Sequence, residues 1–180
     1  DHGCNIIGIA RNVERLEGVK TELGALGHKF TYYSMDVSKK ESWETLKAEL
    51  TEKGVQADIL INNAGISYIG LLSDMTIDEW NQVVNTNLTS VFNCCKLAIP
   101  DMVSAHAGKI INISSVWGKS GASCEVAYSA TKGGINAFTK ALGKELAPSN
   151  IQVNAIACGA IDTEMNQFLD DDDLLDLINE

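Results

Sequence analysis

The sequence predicts an α/β fold in which a parallel sheet is covered by helices on both faces. Short β-branched runs alternate with longer segments whose apolar residues recur every three or four positions. The short runs are almost continuously apolar, which is typical of parallel strands buried on both faces. In such a fold, ligands bind at the carboxyl ends of the strands, so polar residues that follow a strand are the candidates for a functional site.

Five segments are predicted to be strands: NIIGIA at 5–10, KFTYYSM at 29–35, ADILIN at 57–62, KIINIS at 109–114 and IQVNAIA at 151–157. Four segments between them have helical spacing, namely 13–26, 42–54, 77–106 and 127–147. Ser38 is predicted to begin the second helix, and Thr76 with Glu79 three residues later forms a capping box for the third. An acidic run and the apolar residues after it predict a further helix at 169–180. Because no linker or repeat interrupts this order, residues 1–180 are predicted to form one domain.

Composition and charge exclude several classes of function. The chain has 180 residues, is 45% hydrophobic and has a formal net charge of -10, which disfavours nucleic acids and anionic membrane surfaces. No apolar run approaches the roughly 18 residues of a membrane span, so we expect a soluble, cytoplasmic protein. The five cysteines form no C-x-x-C pair and the three histidines lack ligand spacing, so we expect core thiols and no metal site.

Three residues between 110 and 134 predict acid–base chemistry on a carbonyl group. Tyr128 and Lys132 are four residues apart, so on a helix they share one face. A nearby ammonium favours the phenolate, which would lower the pKa of Tyr128 from about 10 towards working pH. Ser115, at the end of a predicted strand, could donate a hydrogen bond to the oxygen that Tyr128 protonates. A Tyr-x-x-x-Lys pair alone is a weak signal, so its context decides.

Two asparagine-containing segments supply that context. N-N-A-G at 62–65 directly follows a predicted strand, and its small residues suit a turn whose backbone approaches a flat ligand. N-T-N-L at 85–88 lies inside a helical pattern, where Asn87 is a poor helix former and indicates a kink or a bound water. An ordinary strand-ending turn and a plain exposed asparagine are the alternatives.

The sequence resembles the classical short-chain dehydrogenase/reductase family over essentially all 180 residues. The resemblance is carried, in this order and spacing, by N-N-A-G, Asn87, Ser115, Tyr128 and Lys132. The resemblance implies a three-layer, doubly wound Rossmann-like domain that transfers a hydride between a nicotinamide and a carbonyl or alcohol. Tyr128 would exchange the proton, and Lys132 would lower its pKa and hold the nicotinamide ribose. Ser115 would orient the carbonyl, and Asn87 would hold a relay water.

The resemblance also indicates the cofactor. Dinucleotide folds carry an acidic residue after the second strand for NAD and a nearby arginine for NADP. Here G-I-A-R-N at 8–12 offers Arg11, so we expect NADP(H). The cofactor contacts that the resemblance implies are Arg11, Asp36, Val37, Asn63, Ala64, Gly65, Tyr128, Lys132, Gly159, Ile161 and Thr163.

The sequence departs from the family pattern at both ends. The glycine-rich phosphate loop is absent, because the chain opens just before what resembles the family's second strand, and it stops before the last strand. Without the central first strand, the first two strands of this chain should be separated from the other three. We expect a portion of a domain of roughly 230 to 250 residues. Cys158-Gly159 also replaces the family's usual Pro-Gly.

The substrate is less constrained than the chemistry. The sequence most resembles bacterial 3-oxoacyl-carrier-protein reductases, but His106 and Ser149 stand where those enzymes carry arginines for an acidic carrier. S-S-V-W-G-K-S-G-A-S-C-E-V-A-Y-S at 114–129 also resembles reductases of a 5-aminopentanone group on elongation factor P, and Glu125 with 170–173 would suit such a basic partner. A non-catalytic remnant without a phosphate loop is a third alternative. The family further implies a homotetramer or homodimer packed through 77–106 and 127–147.

Overall fold

The structure is a computed structural model that describes residues 3–159 and residue 161. The chain divides into two compact units, Asp1–Gln56 and Ala57–Glu180. In each unit parallel strands alternate with helices, which confirms the predicted α/β class. The two units are described separately below.

The first unit is built from two parallel strands and two helices. Its elements are β1 (Ile6–Ala10), α1 (Val13–Ala25), β2 (Phe30–Ser34) and α2 (Lys40–Glu52). β1 pairs with β2 from Ile6 opposite Phe30 to Ala10 opposite Ser34, so both strands end at the same edge. The small core consists of Leu16 on α1 and of Trp43 and Leu46 on α2.

The predicted start of α2 is wrong in detail. The residue before the helix is Lys39, and its side chain makes no cap hydrogen bond. Ser38 instead donates from its backbone N and its hydroxyl to Asp36 Oδ1, at 2.9 and 2.7 Å. The carboxylate competes for the serine and forms a local turn, which leaves Ser38 unavailable as a cap.

The second unit contains a three-stranded parallel sheet in the order β3-β4-β5. Its elements are β3 (Ile59–Asn62), α3 (Ile77–Val84), a π-helical turn (Asn85–Thr89), α4 (Ser90–Ala105), β4 (Gly108–Ser115), α5 (Trp117–Ser120), α6 (Val126–Leu146), a 3₁₀ turn (Ala147–Ser149) and β5 (Ile151–Cys158). The core combines apolar residues of α4, β4, α6 and β5, namely Val91, Cys95, Ala98, Met102, Ile110, Ile135, Leu142, Leu146 and Ile151.

The segment predicted as one helix over 77–106 is broken in the middle. Thr76 and Glu79 form the predicted capping box at its start. The π-helical turn then separates α3 from α4 and contains Asn87, which is fully buried. The helix is thus irregular at Asn87, and the alternative of a plain exposed asparagine is wrong. Single π-helical turns of this kind are often found at functional sites.

All five predicted strands are present, but they form two sheets in the described part of the chain. β1 and β2 make one sheet, and β3, β4 and β5 make the other. The first two predicted strands are thus in a different sheet from the other three, as expected. Within the described residues, no helix has the length and apolarity needed to cross a bilayer, and no group of three metal-ligating side chains occurs.

The cysteines of α4 behave as core thiols. Burial raises the pKa of Cys94 and raises the pKa of Cys95 to about 11. A thiol with such a raised pKa is almost entirely protonated at neutral pH and is a poor nucleophile. This agrees with the expectation that these two cysteines have a packing role.

Candidate active site

The candidate catalytic residues lie at the carboxyl ends of strands and on the helix that follows β4. Ser115 is the last residue of β4, and Tyr128 and Lys132 are in the first two turns of α6. Asn87 reaches the same region from the π-helical turn. Side chains far apart in the sequence therefore meet at one edge of the second unit's sheet.

Tyr128 has two opposing influences on its acidity. The Ser115 hydroxyl favours the phenolate and lowers the pKa of Tyr128. Burial disfavours the phenolate and has the larger effect, so the pKa of Tyr128 is raised overall. The direction is opposite to the lowering expected from the sequence.

Lys132 lies beside this phenol. Its Nζ lies 5.4 Å from the centre of the Tyr128 ring and donates a hydrogen bond of 2.8 Å to the carbonyl oxygen of Ile113. The ammonium is thus held against the backbone of β4. Burial also lowers the pKa of Lys132, because the charged amine is removed from water.

Asn87 joins the turn after β3 to α6. Its Nδ2 donates to the carbonyl oxygen of Ile66 at 2.9 Å and to Thr131 Oγ1 at 3.1 Å, while its Oδ1 accepts from the backbone N of Ile66 at 2.9 Å. Both N–H groups of the side chain are therefore used within the protein. That Asn87 holds a relay water stays a prediction, but its structural role is clear, because it joins the loop after β3 to α6.

The turn at 63–65 brings backbone close to the catalytic amine. A Cβ atom at Gly65 would lie 3.5 Å from Asn87 Oδ1 and 3.6 Å from Lys132 Nζ. A side chain longer than alanine would therefore cover the ammonium, whereas glycine leaves it open. Because Lys132 uses one of its three N–H donors on Ile113, the others can bind hydroxyl groups, which fits the ribose of a nicotinamide nucleotide.

The predicted adenine-end residues come together in the first unit. Arg11 follows β1, and Asp36 and Val37 follow β2. Hydrogen bonds from Ser38 lower the pKa of Asp36, with a smaller contribution from the charge of Arg11. The Val37 carbonyl oxygen accepts a 2.7 Å bond from Trp43 Nε1, which fixes the segment after β2.

The remaining predicted contacts lie after β5. Cys158 stands opposite Ser115 in the sheet, and its carbonyl oxygen accepts a 2.9 Å hydrogen bond from the backbone N of Val116. The following Gly159 has open space where a Cβ would lie. Ile161 is described, whereas Thr163 and the predicted helix at 169–180 lie outside the described residues.

Sequence reasoning missed three residues that shape the site. Thr131 accepts from Asn87 and donates to the Tyr128 carbonyl oxygen at 2.8 Å. Ser67 donates to Glu125 Oε2 at 2.6 Å. A Cβ at Gly118 would lie 2.7 Å from the backbone carbon of Lys132, so only glycine allows α5 to approach α6 this closely. No local pattern marks these contacts, although Ser67 lies two residues after the N-N-A-G turn.

The short chain dehydrogenase family profile matches residues 1–174. The chain belongs to the short-chain dehydrogenase family. It is thus an oxidoreductase by family, and its parallel strands and helices form the Rossmann-like α/β architecture of that group.

Relatives and solved structures agree with this membership. The chain is 39% identical over 171 residues to a 3-oxoacyl-[acyl-carrier-protein] reductase from Chlamydia pneumoniae, covering 95% of this chain and 69% of the relative. A gluconate 5-dehydrogenase from Burkholderia cenocepacia in complex with NADP and tartrate superposes with a TM-score of 0.86 at 31% identity, over 94% of this chain and 66% of that one. A 3-oxoacyl-[acyl-carrier protein] reductase from Brucella melitensis with bound NAD has a TM-score of 0.80 at 38% identity, over 88% and 63%.

Two facts follow from these similarities. The chain spans about two thirds of the length of the proteins that it matches. The two solved relatives hold different nicotinamide cofactors, NADP in one and NAD in the other.

Proposed function

We propose that this protein is an NADP(H)-dependent reductase that converts a carbonyl to an alcohol, with a 3-oxoacyl thioester on a carrier protein as the substrate. The observation that carries the proposal is the convergence of Ser115, Tyr128 and Lys132, in which a serine hydroxyl lowers the pKa of a half-buried phenol that lies beside a buried ammonium. The similarity to 3-oxoacyl-[acyl-carrier-protein] reductases at 38–39% identity supports the substrate class.

The geometry supports a division of labour in reduction. Tyr128, whose raised pKa keeps the phenol protonated at neutral pH, donates its proton to the carbonyl oxygen as negative charge develops there. Ser115 donates a hydrogen bond to the same oxygen and holds it. Lys132 binds the ribose hydroxyls of the nucleotide and supplies a positive charge near the departing proton. When bound between these residues and the 63–65 turn, the nicotinamide supplies the hydride.

Arg11 supports NADP(H) as the cofactor. It follows β1 at the position where dinucleotide folds distinguish a 2′-hydroxyl from a 2′-phosphate, and the preceding residue is Ala10 where an acidic side chain would serve NAD. A guanidinium pairs well with a phosphate through two parallel hydrogen bonds. Asp36 and Val37 would contact the adenine and Thr163 the nicotinamide amide, and Gly159 and Ile161 would be further cofactor contacts.

A second candidate substrate is a 5-aminopentanone group on elongation factor P. The observation that favours it is Glu125, which lies three residues before Tyr128 and whose negative charge raises the pKa of that phenol. A carboxylate so near the reacting group suits a cationic amine better than an acidic carrier. His106 and Ser149 stand where the carrier-protein reductases have arginines, and neither residue supplies a guanidinium for carrier docking.

The assembly and location complete the proposal. We expect a cytoplasmic homotetramer or homodimer that packs through α4 and α6. Phe92 and Val103 on α4 are 49% and 36% exposed, so this helix carries apolar surface that a partner could cover.

The test is turnover of a 3-oxoacyl thioester by the purified full-length protein with NADPH and with NADH, before and after Tyr128→Phe. We expect a preference for NADPH and a loss of kcat in the variant of about 10²- to 10⁴-fold, the usual worth of a positioned general acid. NADPH binding, followed by its fluorescence, should be retained because the other cofactor contacts, Lys132 among them, remain in the variant.

The same measurements distinguish the proposed reductase from the alternatives. A non-catalytic remnant would bind neither coenzyme. Full turnover by Tyr128→Phe would reject the assigned mechanism, and equal use of NADH would reject the assigned role of Arg11.

A further inference from the structure

Thr131 is a buried residue of α6 to which the proposed reduction assigns no role. It lies three residues after Tyr128 and directly before Lys132, and 2% of it is exposed. Threonine is a poorer helix former than alanine, so helix propensity does not explain its presence here. A buried hydroxyl destabilises a protein unless it is hydrogen-bonded. The hydrogen-bond partners of Thr131 therefore indicate what it does.

The first partner of the Thr131 hydroxyl lies on the same helix. Thr131 Oγ1 donates to the carbonyl oxygen of Tyr128 at 2.8 Å. A hydroxyl has a single proton, so this oxygen can only accept from any other group. Asn87 meets this requirement, because its Nδ2 donates to Thr131 Oγ1 at 3.1 Å. The bond to Tyr128 thus determines which end of the Asn87 amide faces α6.

The same orientation of the amide holds the turn after β3. Asn87 Oδ1 accepts from the backbone N of Ile66, and Nδ2 donates to the Ile66 carbonyl oxygen, both at 2.9 Å. Asn87 is fully buried, so water does not compete for these bonds. Gly65 precedes Ile66, and a Cβ atom on it would lie 3.6 Å from Lys132 Nζ. The turn beside the catalytic amine is therefore tied to α6 through Thr131.

We propose that Thr131 is a positioning residue for the reduction, because its hydroxyl fixes the 63–66 turn against the face of α6 that carries Tyr128 and Lys132. The inference rests on the proposed function, in which the nicotinamide nucleotide binds between these two elements. Without the hydroxyl, one buried N–H group of Asn87 loses its acceptor. A shift of the amide, and of the turn that it holds, relieves this cost.

Thr139 has the same chemistry about two turns further along α6. It is also buried, donates to the Ile135 carbonyl oxygen at 2.7 Å and accepts from Asn112 Nδ2 at 2.9 Å. Its asparagine partner is on β4 and is fully buried as well. Thr139 therefore ties a strand to the helix, whereas Thr131 ties the turn beside Lys132. This makes Thr139 the matched control for the loss of a buried hydroxyl.

The experiment compares Thr131→Val with Thr139→Val in the full-length protein, because valine keeps the branched shape of threonine and removes the hydroxyl. One measurement is kcat for a 3-oxoacyl thioester at saturating NADPH. The other is the hydrogen exchange rate of the Ile66 amide in the free protein, followed by NMR. Both variants should lose stability to a similar extent, since each leaves one buried N–H group without an acceptor.

Only Thr131→Val should change the site. We expect kcat to fall about tenfold, because the turn and the catalytic side chains are no longer aligned. The Ile66 amide should exchange about tenfold faster, because its acceptor Asn87 is less well held. Thr131→Ser, which restores the hydroxyl, should return both quantities to the wild-type values. If Thr131→Val does not fold, Thr131→Ala removes the same hydroxyl with a residue that favours the helix.

Several results would overturn the positioning role of Thr131. They are an unchanged kcat or an unchanged exchange rate in Thr131→Val, equal changes of both quantities in Thr139→Val, and no recovery in Thr131→Ser. If the wild-type protein reduces no thioester, the proposed function fails. The exchange rate of the Ile66 amide needs neither coenzyme nor substrate, so it still decides whether Thr131 holds the turn.

Discussion

At the scale of single residues, the acidity of Tyr128 is the balance of a burial cost and one hydrogen bond. Burial raises its pKa, the Ser115 hydroxyl lowers it, and the charge of Glu125 adds to the increase. The Lys132 amine, 5.4 Å from the centre of the ring, is held by the Ile113 carbonyl oxygen. A phenol in this state is a proton donor at neutral pH, which suits reduction better than alcohol oxidation.

Ser115→Ala should therefore move the pH dependence of reduction. Tyr128 must be protonated to act as an acid, so the rate falls as pH rises through its pKa. Because the Ser115 hydrogen bond lowers that pKa, removing it raises the pKa and shifts the falling limb to higher pH. The measurement is kcat against pH. Ser114→Ala is the control, because it removes a hydroxyl that donates only to the Lys132 carbonyl oxygen, and the falling limb of its pH profile should stay in place. If the falling limb does not move in Ser115→Ala, the influence of Ser115 on the acidity of Tyr128 is rejected.

At the scale of elements, the site depends on how closely α5 approaches α6. A Cβ at Gly118 would lie 2.7 Å from the Lys132 backbone carbon and 2.8 Å from the Lys132 carbonyl oxygen. Asn136 Nδ2 donates a 3.2 Å bond to the Gly118 carbonyl oxygen at the same crossing. α5 directly follows Ser115 and its successor Val116, so this contact sets the distance between Ser115 and the helix that carries Tyr128.

Gly118→Ala should push the two helices apart. We expect a loss of about 1–3 kcal/mol in the free energy of unfolding, as for other overpacked sites. We also expect a drop in kcat of about tenfold or more, because Ser115 and Tyr128 no longer converge on one oxygen. Urea denaturation and steady-state kinetics measure the two effects.

Gly143→Ala is the control for this substitution. Gly143 lies inside α6, where a Cβ would lie at an ordinary 3.5 Å from the Val153 carbonyl oxygen. Alanine should leave kcat unchanged and stabilise the helix by up to about 1 kcal/mol. If Gly118→Ala behaves in the same way as this control, the close approach of α5 has no catalytic role.

At the scale of the whole molecule, the dominant property is acidity. The 180 residues carry a formal net charge of -10. A protein of this charge repels an acidic carrier over distances comparable to the Debye length, which is about 10 Å at 0.1 M salt. The negative charges of the chain and of the carrier therefore repel each other and weaken the binding of a carrier-bound substrate. A local basic patch on the chain would offset this repulsion.

The salt dependence of KM measures this repulsion. For a 3-oxoacyl thioester on an acidic carrier protein, we expect KM to fall as salt rises from about 10 mM to about 150 mM, because screening weakens the repulsion. The same thioester on a small neutral thiol should show no such change. A KM that rises with salt for the carrier substrate would reveal a basic docking patch and contradict this expectation.

The predictions from the sequence were best where the signal is local. All five strands, the capping box at Thr76 and the irregular helix at Asn87 follow from periodicity and from the propensities of adjacent residues. The start of α2 was misplaced because Asp36 competes for Ser38, and propensities do not rank two local partners. The role of Asn87 in fixing Ile66 and Thr131 could not be predicted, because those residues are 21 and 44 positions away.

The sequence by itself determined the α/β class, the order of the elements and the family, since apolar periodicity and the spacing of N-N-A-G, Ser115, Tyr128 and Lys132 are all written along the chain. Only the tertiary structure decided the direction of the Tyr128 pKa and the bond from Ser67 to Glu125. Both depend on burial and on contacts between distant segments. Such quantities arise when the chain folds, because burial and through-space charge have no counterpart in the spacing of residues.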